Sequence, residues 1–243
     1  MAGLDVYFFD GQVKITQPHE GYRAGTDAIL LAASIQAEAG EDVLELGCGT
    51  GIVMLLAAHH NKNARFRGLE KSEEMLMLAR ANTKDADTIH IEQGSIRKLP
   101  KDWHLKFEQV LANPPYFDDR AAIRMSKDKE AAFVNKKGLT LEDWLAAMLL
   151  ALKPRGYGTL IYRADGLEKI LCGLSGKAGQ IRILPIHSFA DQPAKRILVR
   201  FRKGVKSESA LLPPLIMHER DSLERYSPQA TEILAGRKRI ILS

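Results

Sequence analysis

Between residues 42 and 112 the sequence alternates between short apolar runs and longer amphipathic stretches, and this alternation constrains the fold more than any other feature. Four apolar runs have the length and composition of buried strands: Asp42–Leu46, Arg65–Glu70, residues 89–92 and Phe107–Ala112. Helical patterns lie between them at Ile52–His60 and at Glu73–Thr83, the second with Ser72 as a capping residue. Strands that alternate with helices pair in parallel through right-handed crossovers. The sequence therefore predicts an α/β fold with a doubly wound, mostly parallel sheet.

Further elements are predicted on both sides of this region. An Asp10-Gly11 turn within residues 6–17 predicts a small N-terminal hairpin, and Thr26 or Asp27 is expected to cap the helix that follows. The later patterns predict helices at 141–152, 166–175 and 229–234, a strand at 157–162, and an edge hairpin of strands 180–185 and 196–201. We expect one domain over residues 1–243, with an N-terminal hairpin and helix (1–40), a core (41–203) and a C-terminal segment packing on the core (204–243).

Composition narrows the class of protein. Of 243 residues, 45% are hydrophobic and 27% charged, as in ordinary globular chains, and the apolar stretches are too short to cross a bilayer. Two cysteines, Cys48 and Cys172, are too few for a disulfide framework and have no metal-ligand spacing with the histidines, so no metal is expected. The N-terminus lacks a secretion signal, which predicts a cytoplasmic protein. The net charge of +5 favours an anionic partner without identifying it.

A glycine-rich turn follows the first strand of the alternating region, at the sheet edge where ligands bind in doubly wound folds. Its glycines, Gly47, Gly49 and Gly51, occur at every second position, which departs from the spacing of a dinucleotide pyrophosphate loop and argues against NAD. Such a segment can bring backbone amides against a small group, or it can be only a tight turn. Glu70 ends the next strand, where its carboxylate can accept from ribose hydroxyls or can simply be solvated.

The tetrapeptide Asn113-Pro114-Pro115-Tyr116 ends the fourth predicted strand. Two prolines make this corner stiff, because each lacks an amide proton and restricts the residue before it. Asn113 Oδ1 and the Pro114 carbonyl can accept hydrogen bonds from an exocyclic NH2 group, while Tyr116 can stack on a planar ring. The alternative is an ordinary strand end closed by prolines. A corner of this kind favours a planar substrate that carries an amine.

The glycine turn resembles that of S-adenosylmethionine-dependent methyltransferases with a seven-stranded, Rossmann-like sheet. Most of the chain resembles the N6-adenine methyltransferases that act on tRNA, in particular the bacterial valine-tRNA (adenine-N6) methyltransferase family. Four motifs carry the resemblance: residues 25–31, 46–51, 113–116 and 226–230. Other families that methylate NH2 groups share the Asn-Pro-Pro-Tyr corner, including those that act on glutamine in release factors. That corner therefore specifies an NH2 substrate but not its carrier.

The resemblance implies S-adenosylmethionine as cofactor, tRNA as partner, and methyl transfer to adenine N6 without a metal or a membrane. It assigns the catalytic corner to Asn113, Pro114, Pro115 and Tyr116. The cofactor-binding residues that it implies are Gly25, Thr26, Asp27, Glu45, Leu46, Gly47, Cys48, Gly49, Gly51, Glu70, Lys71, Ser95, Ile96 and Asn113. Among them, Asp27 would pair with the ammonium group of the cofactor. The family often has an acidic residue after the third strand, where this chain has Ser95.

Two groups of cations are candidates for contact with RNA phosphates. The first follows the proline corner: Arg120, Arg124, Lys127, Lys129, Lys136 and Lys137. The second lies on the predicted edge hairpin: Lys195, Arg196, Arg200, Arg202, Lys203 and Lys206. The substrate-binding residues that we expect are Tyr116, Phe117, Arg120, Arg124, Lys195 and Arg196.

Alternatives to this interpretation stay open at the level of the sequence. Acidic residues are interspersed with the first group of cations, so this segment can equally be a solvated loop. The substrate can be an adenine in rRNA or DNA, or a glutamine side chain of a translation factor, and an RNA-binding module without cofactor is a non-enzymatic alternative. The sequence also leaves the oligomeric state open.

Overall fold

The alternating elements form one mixed sheet flanked by helices. The computed structural model describes residues 3–19, 25–115, 138–220 and 222–243. The strands in these ranges are β1 (Leu4–Phe8), β2 (Val13–Gln17), β3 (Asp42–Leu46), β4 (Arg65–Glu70), β5 (Ile89–Gln93), β6 (Phe107–Ala112), β7 (Leu152–Arg163), β8 (Ala178–His187), β9 (Ala194–Lys203), β10 (Ala210–Leu211) and β11 (Leu215–Ile216).

The α-helices in the same ranges are α1 (Thr26–Ala33), α2 (Ile52–His60), α3 (Glu73–Thr83), α4 (Leu141–Ala151), α5 (Leu167–Leu174) and α6 (Pro228–Leu234). Ser72 caps α3 as predicted, since its side chain accepts a hydrogen bond from the Met75 amide. Short 3₁₀ turns lie at Lys101–Trp103 and Ala164–Gly166. Within the described ranges, no helix has the length and apolar character needed to span a membrane.

The sheet order is β10-β8-β9-β7-β6-β3-β4-β5, with β11 also paired to β8. Strands β3 to β7 pair in parallel, whereas β9 runs antiparallel to both β7 and β8. The chain moves outward from β3 to β5 and then returns to place β6 on the other side of β3, which creates a topological switch point. The predicted doubly wound, mostly parallel α/β fold is confirmed, with seven long strands and two additional two-residue strands.

Apolar side chains on the two faces of the sheet form two separate cores. One core contains Val43, Leu111 and Leu198 together with residues of α1, α2 and α6. The other contains Val110 and Val199 together with residues of α4 and α5. Because successive strand residues point to opposite faces, both sides of the central strands are covered and their sequences are almost continuously apolar.

The predicted cap of α1 and the predicted start of the fifth long strand differ from the structure. The N-cap of α1 is Gly25, which makes no side-chain capping bond, so the expectation that Thr26 or Asp27 caps this helix is wrong. The fifth long strand begins at Leu152 instead of residue 157, directly after α4. Lys203 Nζ donates to the Leu149 and Leu152 carbonyls, which supplies partners for the end of the helix without a loop.

The predicted hairpin of β8 and β9 is not an edge hairpin. On one side β9 pairs with β7, and on the other side β8 pairs in parallel with β10 and β11 from the C-terminal segment. The same segment reaches α1, where the Ile240 amide donates to the Ala33 carbonyl at 2.9 Å. It also meets the N-terminal hairpin, because Gly236 leaves room for the Phe9 ring. The C-terminal segment therefore covers the sheet edge that would otherwise expose unpaired backbone groups.

Gly158 in β7 generates a stability prediction. It lies opposite Phe201 of β9, and a Cβ atom at this position would overlap the buried Phe201 ring. We expect Gly158→Ala to lower the free energy of unfolding by about 1–3 kcal/mol, measured by urea denaturation, because the core must shift to accept the methyl group. Gly138→Ala is the matched control, because its added Cβ meets no described residue within 4 Å, and it should stay within about 0.5 kcal/mol of the parent. Equal effects of the two changes would contradict this account.

Candidate active site

The register between β3 and β6 places the two sequence motifs side by side. Leu46 lies directly opposite Ala112 in this parallel pair, so Gly47 and Asn113 are the next residues on neighbouring strands. Both line a cavity of about 450 Å³ at the carboxyl ends of the strands. The residues around it are Gly47, Gly49, Leu69, Glu70, Lys71, Met75, Gly94, Ser95, Ile96, Asn113, Pro114, Pro115, Leu139 and Trp144. One cleft therefore contains the glycine turn and the proline corner.

The three glycines of the turn have different physical roles. All have positive φ angles, 62° for Gly47, 54° for Gly49 and 80° for Gly51, a region that side chains disfavour. A Cβ on Gly47 would overlap the Trp144 indole, and one on Gly51 would crowd Thr83 at 3.3 Å. A Cβ on Gly49 would meet nothing within 4 Å, and this residue lines the cavity. Gly47 and Gly51 permit packing, whereas Gly49 leaves open space for a ligand.

Glu70 is held at the rim of the cavity by backbone amides. Its Oε2 accepts from the Gly49 amide at 2.9 Å, and its Oε1 accepts from the Lys71 and Ser72 amides at 2.8 and 2.7 Å. A carboxylate offers about four acceptor sites, so three amides leave capacity for a ligand hydroxyl. The alternative of a freely solvated side chain does not describe this residue, because its carboxylate links the turn after β3 to the start of α3.

Glu45 is a buried acid beneath the glycine turn. It is 2% exposed, and its Oε2 has no hydrogen-bond partner among the described residues. Burial, together with the nearby Glu70 carboxylate, raises the pKa of Glu45 well above its usual value. Glu45 lines a smaller cavity of about 40 Å³ together with Ala28 and Cys48. Burial also raises the pKa of the Cys48 thiol, which describes a packed thiol rather than a reactive one.

The described part of the proline corner faces the larger cavity. Asn113 is half-buried and lines both cavities, Pro114 is buried and Pro115 is exposed. Tyr116, Phe117, Arg120 and Arg124 lie outside the described residues, as does the rest of the first group of cations.

The remaining predicted cofactor residues divide into two sets. Lys71, Ser95 and Ile96 line the larger cavity. Five others are not among the residues that line either cavity: Gly25, Thr26, Asp27, Leu46 and Gly51. The Asp27 carboxylate accepts from Arg196 Nε at 3.0 Å, so these two predicted site residues are bonded to each other.

Several lining residues were missed by sequence reasoning. Leu69, Met75, Leu139 and Trp144 form apolar walls of the larger cavity. Trp144 comes from α4, about thirty residues after the proline corner, and its indole lies against the glycine turn. In the sequence, these four residues have the spacing of ordinary core residues. Only Leu69 could have been recognised as a site residue, because it lies next to Glu70 at the end of a strand.

The second group of cations is divided by the structure. Arg196 lies opposite Arg163 at the carboxyl end of β7, on the side of the candidate site, but Arg202 lies opposite Tyr157 near the other end of that strand. The six residue steps from Arg196 to Arg202 along the extended strand span about 20 Å. The group therefore extends from the side of the candidate site to the opposite end of the sheet. Lys203 is also engaged at the end of α4, as described above. The described residues contain no group of three or more His, Cys, Asp or Glu that could hold a metal ion.

Comparison with known proteins identifies the family and the fold. The profile of a family described as "Methyltransferase domain" matches residues 37–170. A solved structure of a predicted O-methyltransferase from Agrobacterium tumefaciens has a TM-score of 0.72 and 24% identity, covering 88% of this chain and 98% of that chain. At this identity the likeness shows the fold.

Curated relatives extend over most of the chain. A protein of Dyadobacter fermentans is 23% identical over 235 residues, 95% of this chain and 96% of its own length. One of Actinobacillus pleuropneumoniae serotype 7 is 30% identical over 185 residues, 74% of this chain and 76% of its own length. Both are named tRNA1(Val) (adenine(37)-N6)-methyltransferase. The chain therefore belongs to the methyltransferase-domain family, in the group whose curated members carry that name.

Proposed function

We propose that this protein methylates the exocyclic N6 amine of an adenine in the anticodon loop of a tRNA, with S-adenosylmethionine as the methyl donor. The observation that carries the proposal is the placement of Asn113 beside the glycine turn in one cavity, in a chain whose relatives along almost its whole length are named for this reaction. A tRNA substrate places the reaction in the cytoplasm.

The residues at the cavity fit the donor. Gly49 leaves space where a side chain would stand, and Glu70 presents a fixed carboxylate suited to the hydroxyl groups of a ribose. Beneath the turn, Glu45 has a buried oxygen without a partner among the described residues, which is a favourable neighbour for a cationic or hydrogen-bonding group. Leu69, Ile96 and Trp144 provide apolar walls against which a purine ring can pack. When bound there, S-adenosylmethionine supplies an electrophilic methyl group on a sulfonium.

The proline corner is suited to activating the acceptor amine for methyl transfer. The N6 lone pair of adenine is delocalised into the ring, which makes the amine a weak nucleophile. Asn113 Oδ1 and the Pro114 carbonyl can accept hydrogen bonds from its two N–H groups and so return electron density to the nitrogen. The corner also fixes the orientation of an unstacked base, and positioning of this kind lowers a barrier by several kcal/mol. No strongly basic side chain is required, because the proton becomes acidic once the nitrogen is alkylated.

The reaction is tested by incubating the protein with methyl-labelled S-adenosylmethionine and tRNA that lacks the modification. Digestion of the tRNA should release labelled N6-methyladenosine, and fragment mapping should locate it in the anticodon loop. Label on a protein glutamine, with none in the RNA, would overturn the proposal in favour of translation-factor methylation. Tight RNA binding without any binding of S-adenosylmethionine in calorimetry would also overturn it.

Gly49 generates a prediction about the donor site. We expect Gly49→Leu to weaken S-adenosylmethionine binding by at least about tenfold in calorimetry, because the side chain would stand in the larger cavity. Gly176→Leu is the matched control, since Gly176 also has a positive φ of 70° and open space, but lies outside the cavities. Both variants carry backbone strain, so only a loss specific to Gly49 identifies the donor site. A dissociation constant for S-adenosylmethionine equal to that of the Gly176 variant would refute the assignment of the donor site.

Asn113 generates a prediction about turnover. We expect Asn113→Ala to lower kcat by more than about tenfold, at least about 1.4 kcal/mol of transition-state stabilisation, with little change in donor affinity. Asn113→Asp keeps an acceptor oxygen at the same place and should recover part of the lost rate. The measurement is single-turnover methylation of tRNA at saturating donor. An unaltered rate in the alanine variant would remove Asn113 from the mechanism.

A further inference from the structure

Two arginines stack on Tyr157 toward the end of the sheet remote from the candidate site, and a third arginine lies beside them. Arg182 of β8 lies directly opposite Arg200 of β9, and Arg202 lies two residues further along, opposite Tyr157 of β7. Residues directly opposite, or two apart on one strand, share a face of the sheet. We name Arg182, Arg200, Arg202 and Tyr157 together the arginine face.

The cations of the arginine face lack carboxylate partners. Within the described residues, no Asp or Glu oxygen lies within 4.0 Å of a guanidinium nitrogen of Arg182, Arg200 or Arg202. Their hydrogen bonds go to backbone carbonyls instead, from Arg182 to Glu208 and from Arg202 to Arg155. The Arg200 and Arg202 guanidiniums lie 3.9 and 5.0 Å from the centre of the Tyr157 ring, which restrains them by cation–π contact.

This arrangement is electrostatically unfavourable in the isolated protein. Like charges directly opposite each other on neighbouring strands are destabilising. Arg200 is half-buried, and its desolvation lowers the pKa of its guanidinium. Glu41 acts on the pKa of Arg200 in the opposite direction, but its carboxylate already accepts from Gln109 Nε2 at 2.8 Å. An anionic partner would relieve both the mutual repulsion and the missing counter-charge.

The chemistry of the arginine face favours a phosphate chain over an acidic protein. Arginine binds phosphate oxygens through two parallel N–H groups, and nucleic-acid interfaces are rich in positive charge. Protein interfaces instead bury apolar and aromatic anchors at a centre depleted of charge. Arg200 and Arg202 stand two residues apart on an extended strand, about 7 Å, which is comparable with the separation of successive phosphates in a nucleic-acid strand.

We propose that the arginine face binds phosphates of the tRNA substrate at a limb remote from the methylated base. The inference rests on the proposed function. It adds a binding surface for the part of the tRNA that lies outside the candidate site. Arg202 is about 20 Å along β9 from Arg196 at the rim of the candidate site. A short single-stranded loop that is bound at the rim does not need to reach the arginine face. A folded tRNA is large enough to extend that far. The arginine face therefore contributes to tRNA affinity without touching the reacting groups.

The test compares Arg182→Gln/Arg202→Gln with a double variant of equal charge change, Lys84→Gln/Lys101→Gln, whose residues are exposed and lie elsewhere. Fluorescence anisotropy measures binding of a labelled, unmodified valine-tRNA transcript and of an anticodon-loop oligonucleotide. For the arginine variant we expect the Kd for tRNA to rise about tenfold, and the slope of log Kd against log salt to fall by about 2. Its Kd for the oligonucleotide, its donor affinity and its kcat at saturating tRNA should match the parent.

Further variants and outcomes distinguish failure of this inference from failure of the proposed function. Arg182→Lys/Arg202→Lys keeps the charges and should keep most of the salt dependence, and Arg182→Gln alone serves if the double variant does not fold. If the parent methylates tRNA and both double variants bind it equally well, the inference falls while the proposed function stands. If the parent neither binds nor methylates tRNA, the proposed function itself fails. Competition by poly-glutamate as strong as that by tRNA, and lost in the arginine variant, would assign the face to an acidic protein and overturn the inference.

Discussion

The parallel register between β3 and β6 is the constraint on which the site depends. Leu46 opposite Ala112 makes Gly47 and Asn113 neighbours, although sixty-six residues of sequence separate them. Backbone hydrogen bonds and apolar cores on both faces of these central strands fix that register, because a slip of one residue would turn buried side chains toward the wrong face. The glycine turn and the proline corner are therefore held by the most buried part of the fold.

Acidic side chains organise the glycine-turn side of the cleft. Glu70 gathers three backbone amides from the glycine turn and the start of α3, so the turn is positioned before any ligand arrives. Glu45 lies below it with a buried oxygen that has no partner among the described residues. A buried acid without a counter-charge is costly to the fold, and such costs concentrate at functional sites. This distribution fits a pocket that receives a positively charged donor.

The C-terminal segment and the antiparallel strand β9 determine which surfaces remain for a large substrate. Short strands β10 and β11 cover the outer side of β8, so this edge is closed. Because β9 is a ten-residue extended strand, its cations are spread along the height of the sheet, and its antiparallel direction puts Arg196 at the end near the cleft. A polyanion that enters at the cleft can thus meet positive charge both at the rim and on the arginine face.

The sequence by itself determined the fold class, most element boundaries in the alternating region, and the two motifs, because periodicity, glycine and proline act locally. It did not determine that Asp27 would bond to Arg196, or that Trp144 would lie against Gly47, since such contacts join residues far apart in the chain. Which end of the run of cations lies beside the cleft also depended on the direction of β9. Local patterns specify strands and turns, but strand order and direction decide which side chains meet, and only the packed tertiary structure fixes those.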